Sequence, residues 1–372
     1  MRLLADIGVF LKKIIIYSEI SWEFLDQRHH HLARYAANAG WSVEFVSRVV
    51  SRFPSIQDVF YRIFSLSKKT RRHPSQGKNI PPNMILRRSF FLPSTTYLSS
   101  RFNFIVWFLW ERKKQNGALV YSFIDNPNLV GNGGKFKLYE TSVFDIIHNW
   151  WAFPWNAKSH KVLVNKCLTS YSKIITDSPS VAAKLVKMQC EHALMLPGAT
   201  PDWLNCGSDS LHPKALFFGN LRRNSDLSLV KQVTKCVGLD IIGLIDPSVV
   251  AEIGQPSYLG KFDGSAMFSV VKNYNILLLP YNGSEFSSTI APAKYFEALA
   301  TGSLVVTCAD MSHLPGFDDF VFKVDLDAND LKEKLVERLI FQRRFRHLQV
   351  SFAKENLWEQ RFESLFKTLR AK

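Results

Sequence analysis

Leu277-Leu278-Leu279-Pro280-Tyr281, then Ser287-Ser288-Thr289, then Pro292-Ala293-Lys294-Tyr295-Phe296-Glu297-Ala298-Leu299-Ala300-Thr301-Gly302, then Leu304-Val305-Val306 is the stretch on which the fold turns. It reads as a buried strand, a loop of small hydroxyls, a helix, a glycine stop and a second buried strand, which is the grammar of a parallel α/β sheet. That order predicts three hydroxyls and free backbone N–H groups at a helix N-terminus, where a phosphate is favoured. Lys294 and Glu297 lie three apart and so share a helix face. A cation for phosphate and a carboxylate for ribose hydroxyls is the minimum equipment for a nucleotide ligand.

Working outward, the same pattern recurs. Ala215–Phe218 reads as a strand, Gly219-Asn220 as a turn, Asp226–Val237 as a helix and Asp240–Leu244 as a strand, with a helix over 264–273 before the opening stretch and a strand at Phe320–Val324 after it. Arginines directly after a strand and glycine, as in Gly219-Asn220-Leu221-Arg222-Arg223, let a backbone approach a pyrophosphate and neutralise it; Arg222 is the preferred contact. The competing reading is an ordinary strand turn with surface arginines.

The first half repeats the theme. Lys12–Tyr17 is a continuous β-branched run, Asp26–Ala39 has helical spacing with Gly40 as its stop, and Ser42–Val46 is a second strand: a βαβ unit. Further strands are expected in 119–122, 137–147 and 173–176, a mobile loop over 66–83, and helix throughout 328–372. Val143-Phe144-Asp145-Ile146-Ile147-His148 reads as a strand with polar groups at its C-terminal tip, where open-sheet enzymes place chemistry. His148 then stands as a candidate base with Asp145 one strand step behind, against the alternative of a histidine packed among Trp150 and Trp151. Trp22, Gln27, Arg28 and His30 follow the first strand and open the first helix, and are candidate ligand contacts, to phosphate or, as the resemblance given below implies, to an acceptor. The three consecutive histidines 29–31 do not make a metal site, because adjacent helical positions splay by about 100°.

These segments resemble the GT-B glycosyltransferases, in particular bacterial envelope and capsular polysaccharide transferases. The match is specific at 215–222, 277–306 and 143–150 and loose elsewhere. The resemblance implies two Rossmann-like doubly wound domains facing a central cleft: residues 1–200 binding acceptor, 201–345 binding the nucleotide-sugar, and a C-terminal helix, 346–372, crossing back. It implies Gly219, Arg222, Tyr281, Ser287, Ser288, Thr289, Lys294 and Glu297 as donor contacts, Glu297 taking the ribose, with no metal and no cofactor. Many retaining members carry a second glutamate eight positions before the ribose glutamate; here that position is Thr289, which leaves the stereochemistry open.

Composition sets the remaining bounds. At 372 residues the chain suits two domains, and 47% hydrophobic with 21% charged residues describes a globular protein. Five widely spaced cysteines without a C-x-x-C pair fit a reducing compartment. No apolar run reaches the ~18 residues of a membrane span, and the reading is a cytoplasmic chain. Of the +15 net charge most lies early: residues 1–150 hold 21 Lys+Arg against 10 Asp+Glu. Aromatics (Phe53, Phe60, Phe64, Phe90, Phe91, Tyr97) interleave with these cations, which suits an anionic membrane surface on the inner face of the plasma membrane. A solvated basic face is the plain alternative, and nucleic acid is not expected. The rival functions are a nucleotide-sugar epimerase, which needs no such first half, and a non-catalytic basic protein, which leaves the Lys294 segment unexplained.

Overall fold

Strand runs too continuous to alternate need a sheet covered on both faces, and each half of the chain meets that need with parallel strands. The structure is a computed structural model describing residues 12–24, 26–49, 79–133, 138–147, 149–151, 158–222, 225–262, 264–326 and 330–370. It divides into two units, Met1–Thr176 with Lys184–Leu194, and Asp177–Ala183 with Met195–Lys372.

In the first unit the strands are β1 (Lys13–Tyr17), β2 (Ser42–Ser47), β3 (Met84–Arg88), β4 (Ala118–Ser122), β5 (Thr141–Ile146), β6 (Lys173–Thr176) and β7 (Ala193–Leu194). Their order is β3-β2-β1-β4-β5-β6-β7, all parallel. The strand order reverses direction between β1 and β4, the switch point where such sheets bind ligands. The β1–β2 crossover is the Arg28–Asn38 helix, capped by Gln27. β3 is not among the strands expected from sequence, because Arg87-Arg88 at its end breaks the apolar pattern. The fold instead tucks Arg87 against Glu44 of β2 and the buried Glu111, which lets a cation sit inside the strand's packing. The loop expected over 66–83 lies largely outside the described residues.

The second unit holds β8 (Ala215–Leu221), β9 (Leu239–Ile245), β10 (Ser257–Gly260), β11 (Ile276–Leu278), β12 (Leu304–Thr307) and β13 (Val321–Lys323). These are again parallel, in the order β10-β9-β8-β11-β12-β13. Successive strand residues face opposite sides and build two cores. Leu216, Phe218, Leu277 and Val305 pack on one side with Tyr295, Phe296 and Leu299. Phe217, Ile241, Ile276 and Val306 pack on the other with Leu229, Val233, Leu335 and Leu339.

Two expectations are corrected here. Gly219-Asn220 is not a turn: β8 continues to Leu221 because Gly219 pairs with Gly243 and Asn220 with Leu244 on β9. The C-terminal stretch is not one helix but two, Leu331–Glu355 and Trp358–Arg370. Between them Leu357 makes an isolated parallel bridge to Ala199, which takes the backbone out of helical geometry. The longer helix is tied down by a buried glutamine pair. Gln342 donates to the Gly302 carbonyl (2.6 Å), and Gln349 to the Leu299 and Ser303 carbonyls (3.0 Å each).

Candidate functional site

At the C-terminal tips of β8 and β11, the loops that follow the two strands pair with each other. Ser225 bridges Tyr281, and the Asp226 N–H donates to the Pro280 carbonyl at 2.8 Å. This joins the arginine-bearing turn to the stretch that leads into the Ala293–Ala300 helix. That helix has Pro292 at its cap position and no side-chain cap; its Tyr295 N–H donates to the Pro292 carbonyl at 3.0 Å, and the N–H groups ahead of it are the ones an anion would meet.

Lys294 reaches from this helix across the backbone of Gly219. A β-carbon at Gly219 would lie 2.5 Å from the Lys294 Nζ and 2.6 Å from its Cε, so a side chain there would push the end of the lysine aside. Gly219 also has φ +142°, a backbone state that side chains rarely adopt. Gly243 is needed for the same stacking, since a β-carbon there would run into the Gly219 carbonyl. Glycine at 219 is required by this backbone conformation, and it lets the lysine lie across it.

The charges around Lys294 identify its neighbours. Burial pushes the ammonium down, Glu297 pulls it back up, and the positive charge of Arg222 lowers it further. Glu297 is pushed up to about 7 by burial, with Lys294 opposing the shift. Tyr281 is also raised, by burial and then by the charge of Glu297. Arg222, Tyr281, Lys294 and Glu297 are thus one electrostatically coupled group, with Gly219 beneath Lys294: two cations and a half-buried carboxylate that is easily protonated.

The three hydroxyls behave differently. They do not form an open loop: they belong to a short helix of their own, Glu285–Thr289, capped by Ser284. Ser287 is buried and donates to Asn282 Oδ1 at 2.7 Å. Ser288 and Thr289 donate back to the Glu285 carbonyl at 3.1 and 2.8 Å. Back-bonding of this kind satisfies a hydroxyl within its own helix turn. The segment ahead of Lys294 is held from outside, by Ser178 Oγ donating to the Thr289 carbonyl and by His313 Nε2 against the Ile290 carbonyl at 3.0 Å. A cavity of about 530 Å³ opens beside this loop, lined by Asp226, Gly283, Cys308, Lys323 and Asp325. None of the coupled residues lines it, and two carboxylates against one lysine do not suit a diphosphate.

In the first unit Asp145 is fully buried on β5. It accepts from Arg28 Nε at 2.9 Å, from the second Arg28 nitrogen at 3.0 Å and from the Tyr121 hydroxyl at 2.6 Å. Burial pushes its carboxyl up against the pull of these donors. Asp145 and Arg28 thereby serve each other across the first helix and the sheet. His148 lies outside the described residues. His30 is buried between Trp22 and Phe45, facing the Ser21 carbonyl at 3.1 Å, and Trp22 is buried with it. Gln27 sits exposed at the helix start.

Sequence reading missed one polar group at this edge. Asp125 follows β4 and its Oδ2 lies 2.7 Å from His160 Nδ1, both side chains being buried. Its second oxygen, Oδ1, is buried without a hydrogen-bond partner among the described residues. Burial raises the Asp125 carboxyl while His160 opposes the rise. Glu19, after β1, is raised by burial and then by the Asp125 charge. Polar residues directly after buried strands were the available signal for Glu19 and Asp125; nothing in the sequence joins either to His160.

No protein-family profile and no curated protein sequence matches the chain. Solved structures do. A glycosyltransferase from Rickettsia africae is 11% identical, covers 97% of this chain and 99% of its own, and gives a TM-score of 0.62. HepE of Anabaena, in complex with UDP and glucose, is 10% identical over 96% of this chain and 100% of its own, with a TM-score of 0.63. An E. coli trehalose-6-phosphate protein bound with UDP-2-fluoro glucose is 10% identical over 97% and 99%, also with a TM-score of 0.63. The likeness establishes the architecture: two Rossmann-like parallel-sheet units of the GT-B type.

Proposed function

We propose that this chain is a glycosyltransferase that moves a sugar from a nucleotide-sugar donor to a hydroxyl of a glycan or lipid-linked saccharide, in cell-envelope polysaccharide synthesis such as that of capsule or lipopolysaccharide. One observation carries the reading: Lys294 lying over Gly219 within the field of Arg222, with Glu297 one helix turn on. The bound UDP of the Anabaena protein and UDP-2-fluoro glucose of the E. coli protein, on the same architecture, support it.

In this mechanism the anomeric carbon–oxygen bond breaks and the electron pair leaves with the nucleoside diphosphate. The acceptor oxygen forms the new bond and gives its proton to a base. Lys294, Arg222 and the N-terminus of the Ala293–Ala300 helix stabilise the charge that develops on the diphosphate, where fixed cations act without reorganising. Glu297, ionised, accepts from the ribose hydroxyls, and Tyr281 borders it. The backbone and side chains of Ser287, Ser288 and Thr289 shape the rim of the donor site. The resident cations do what a divalent metal would otherwise do.

For the acceptor half, Gln27 is the exposed contact at the first helix, with Trp22, Arg28 and His30 behind it holding the shape of that loop. Either His148 or the His160–Asp125 pair supplies the base. Asp145 is better suited to positioning, since its oxygens already accept from Arg28 and Tyr121. The enzyme works in the cytoplasm against the inner face of the plasma membrane, which the early basic excess and the free cysteines support. A thermal-shift panel of UDP, GDP, TDP and CMP is the direct test. Selective stabilisation by one nucleotide, lost in Lys294→Ala, is the expected result; no response to any of them overturns the reading.

A further inference from the structure

Among the described residues, one helix of the first unit has its polarity inside out. Tyr97–Val106 is α-helical, Trp107–Glu111 is a π turn, and Arg112–Lys114 completes the segment. Its inner face is largely polar and satisfied. Buried Asn103 accepts from the Leu92 N–H at 2.8 Å and donates to the Leu92 carbonyl at 2.7 Å and to Ser94 at 2.9 Å. Buried Glu111 takes Arg87 and the Tyr17 hydroxyl. Trp107 seals the inner side, donating to Gln115 at 2.9 Å with its ring against Gly131.

The outer face is apolar. Leu98, Phe102, Ile105 and Leu109 recur at helical spacing and are 79, 45, 52 and 55% exposed. The π turn widens the helix by about one residue per turn, so that Phe108, Leu109 and Trp110 all face outward between inward Trp107 and Glu111. A water-facing helix ordinarily shows the reverse arrangement, and a contiguous apolar face of this kind marks an interaction surface.

We propose that the Tyr97–Lys114 segment is an in-plane membrane anchor, whose outer face seats in the headgroup–acyl boundary of an anionic bilayer. Charge complementarity selects this occupant. Between residues 88 and 117 there are five cations (Arg88, Arg101, Arg112, Lys113, Lys114) and a single acid, Glu111, which is turned inward. Arg101 lies over the Tyr97 ring at 4.6 Å and Arg112 over the Phe108 ring at 5.4 Å. The cations therefore rim the apolar face, as headgroup contact requires. Exposed Tyr97 and Trp110 are the residue types favoured at a membrane–water boundary. No helix among the described residues is long and apolar enough to span a membrane, so insertion is parallel to the surface. This deepens the membrane reading proposed above, on which it rests: it moves the contact from a diffuse basic surface to one helix with apolar insertion.

The test is vesicle flotation of the full chain with phosphatidylcholine liposomes, with and without phosphatidylglycerol. The wild type is expected to float with the anionic vesicles and to keep part of that binding in high salt. The double variant Phe102→Glu/Leu109→Glu, shown folded by circular dichroism, is expected to lose about tenfold or more in partitioning. Bromolipid quenching of tryptophan fluorescence is expected in the wild type and to fall in Trp110→Phe. A double variant that floats like the wild type overturns this inference while leaving the broader membrane reading standing. A wild type that floats with no vesicle overturns both. A wild-type dimer in light scattering that the double variant abolishes, without vesicle binding, makes the face an interface between copies and also overturns it.

Discussion

Glu297 makes the proposed function quantitatively testable by pH alone. Its carboxyl is half-buried and titrates at about 7, against 4.5 for an unperturbed glutamate, because desolvation outweighs the neighbouring ammonium of Lys294. Only the carboxylate accepts hydrogen bonds from two ribose hydroxyls. With a midpoint near 7, about nine-tenths of the molecules are ionised at pH 8 and about one-tenth at pH 6, so affinity for the donor should fall about tenfold over that interval, or about 1.4 kcal/mol. The folded protein holds this proton to higher pH than the unfolded chain. Its stabilising contribution is therefore complete below about 4.5 and is lost as pH rises through about 7, costing up to about 3 kcal/mol with the opposing pull of Lys294 already included. Glu297→Gln should accordingly bind donor about tenfold to a hundredfold more weakly at pH 8, with a flat pH profile, while its ligand-free form is as stable as the wild type or more so. The assay is calorimetric titration with UDP-glucose, whose doubly esterified diphosphate does not titrate in this range, paired with denaturant unfolding at each pH. Wild-type affinity constant within about twofold from pH 6 to 8, or the same slope in Glu297→Gln, would refute the reasoning.

Gly219→Ala should lower donor affinity by about tenfold or more with a stability loss of about 1–3 kcal/mol, since the new methyl displaces the Lys294 tail and the φ of +142° is strained for alanine; binding and unfolding measured side by side separate the two effects. Arg28→Ala should destabilise the protein by about 3–5 kcal/mol because it strands the Asp145 carboxylate in the core, and pairing it with Asp145→Asn should recover part of that loss in urea unfolding. Transfer activity should survive EDTA unchanged; activity lost to the chelator and restored by manganese would show that Lys294 and Arg222 do not suffice for the leaving diphosphate.

Much of the architecture was legible because it rests on local rules. Continuous apolar runs such as Lys13–Tyr17 and Ile276–Leu278 are buried strands wherever they fall, and glycine stops such as Gly302 end helices by their own backbone freedom. The three-residue spacing of Lys294 and Glu297 likewise puts both on one helix face without reference to anything else. β3 escaped notice because Arg87 looks solvated until its partner Glu111 is seen to arrive from a helix, while Arg88 is exposed. The hydroxyls looked like an open phosphate loop because the short helix that absorbs them is set by Ser284 and Asn282 contacts that composition does not announce.

What the amino-acid order determined alone, then, is the succession of strands and helices and the kinds of group offered at their tips. Only the tertiary structure decided which groups meet. Arg28 and Asp145 stand 117 residues apart, and it is the folded arrangement of the first helix on the parallel sheet that brings them together as an ion pair. The Tyr97–Lys114 helix carries polar and apolar residues in helical rhythm, and rhythm alone does not say which stripe faces inward. Packing against Leu92, Ser94 and Tyr17 satisfies the polar stripe and leaves the apolar one outside, because a buried amide or carboxylate needs partners that only other segments provide.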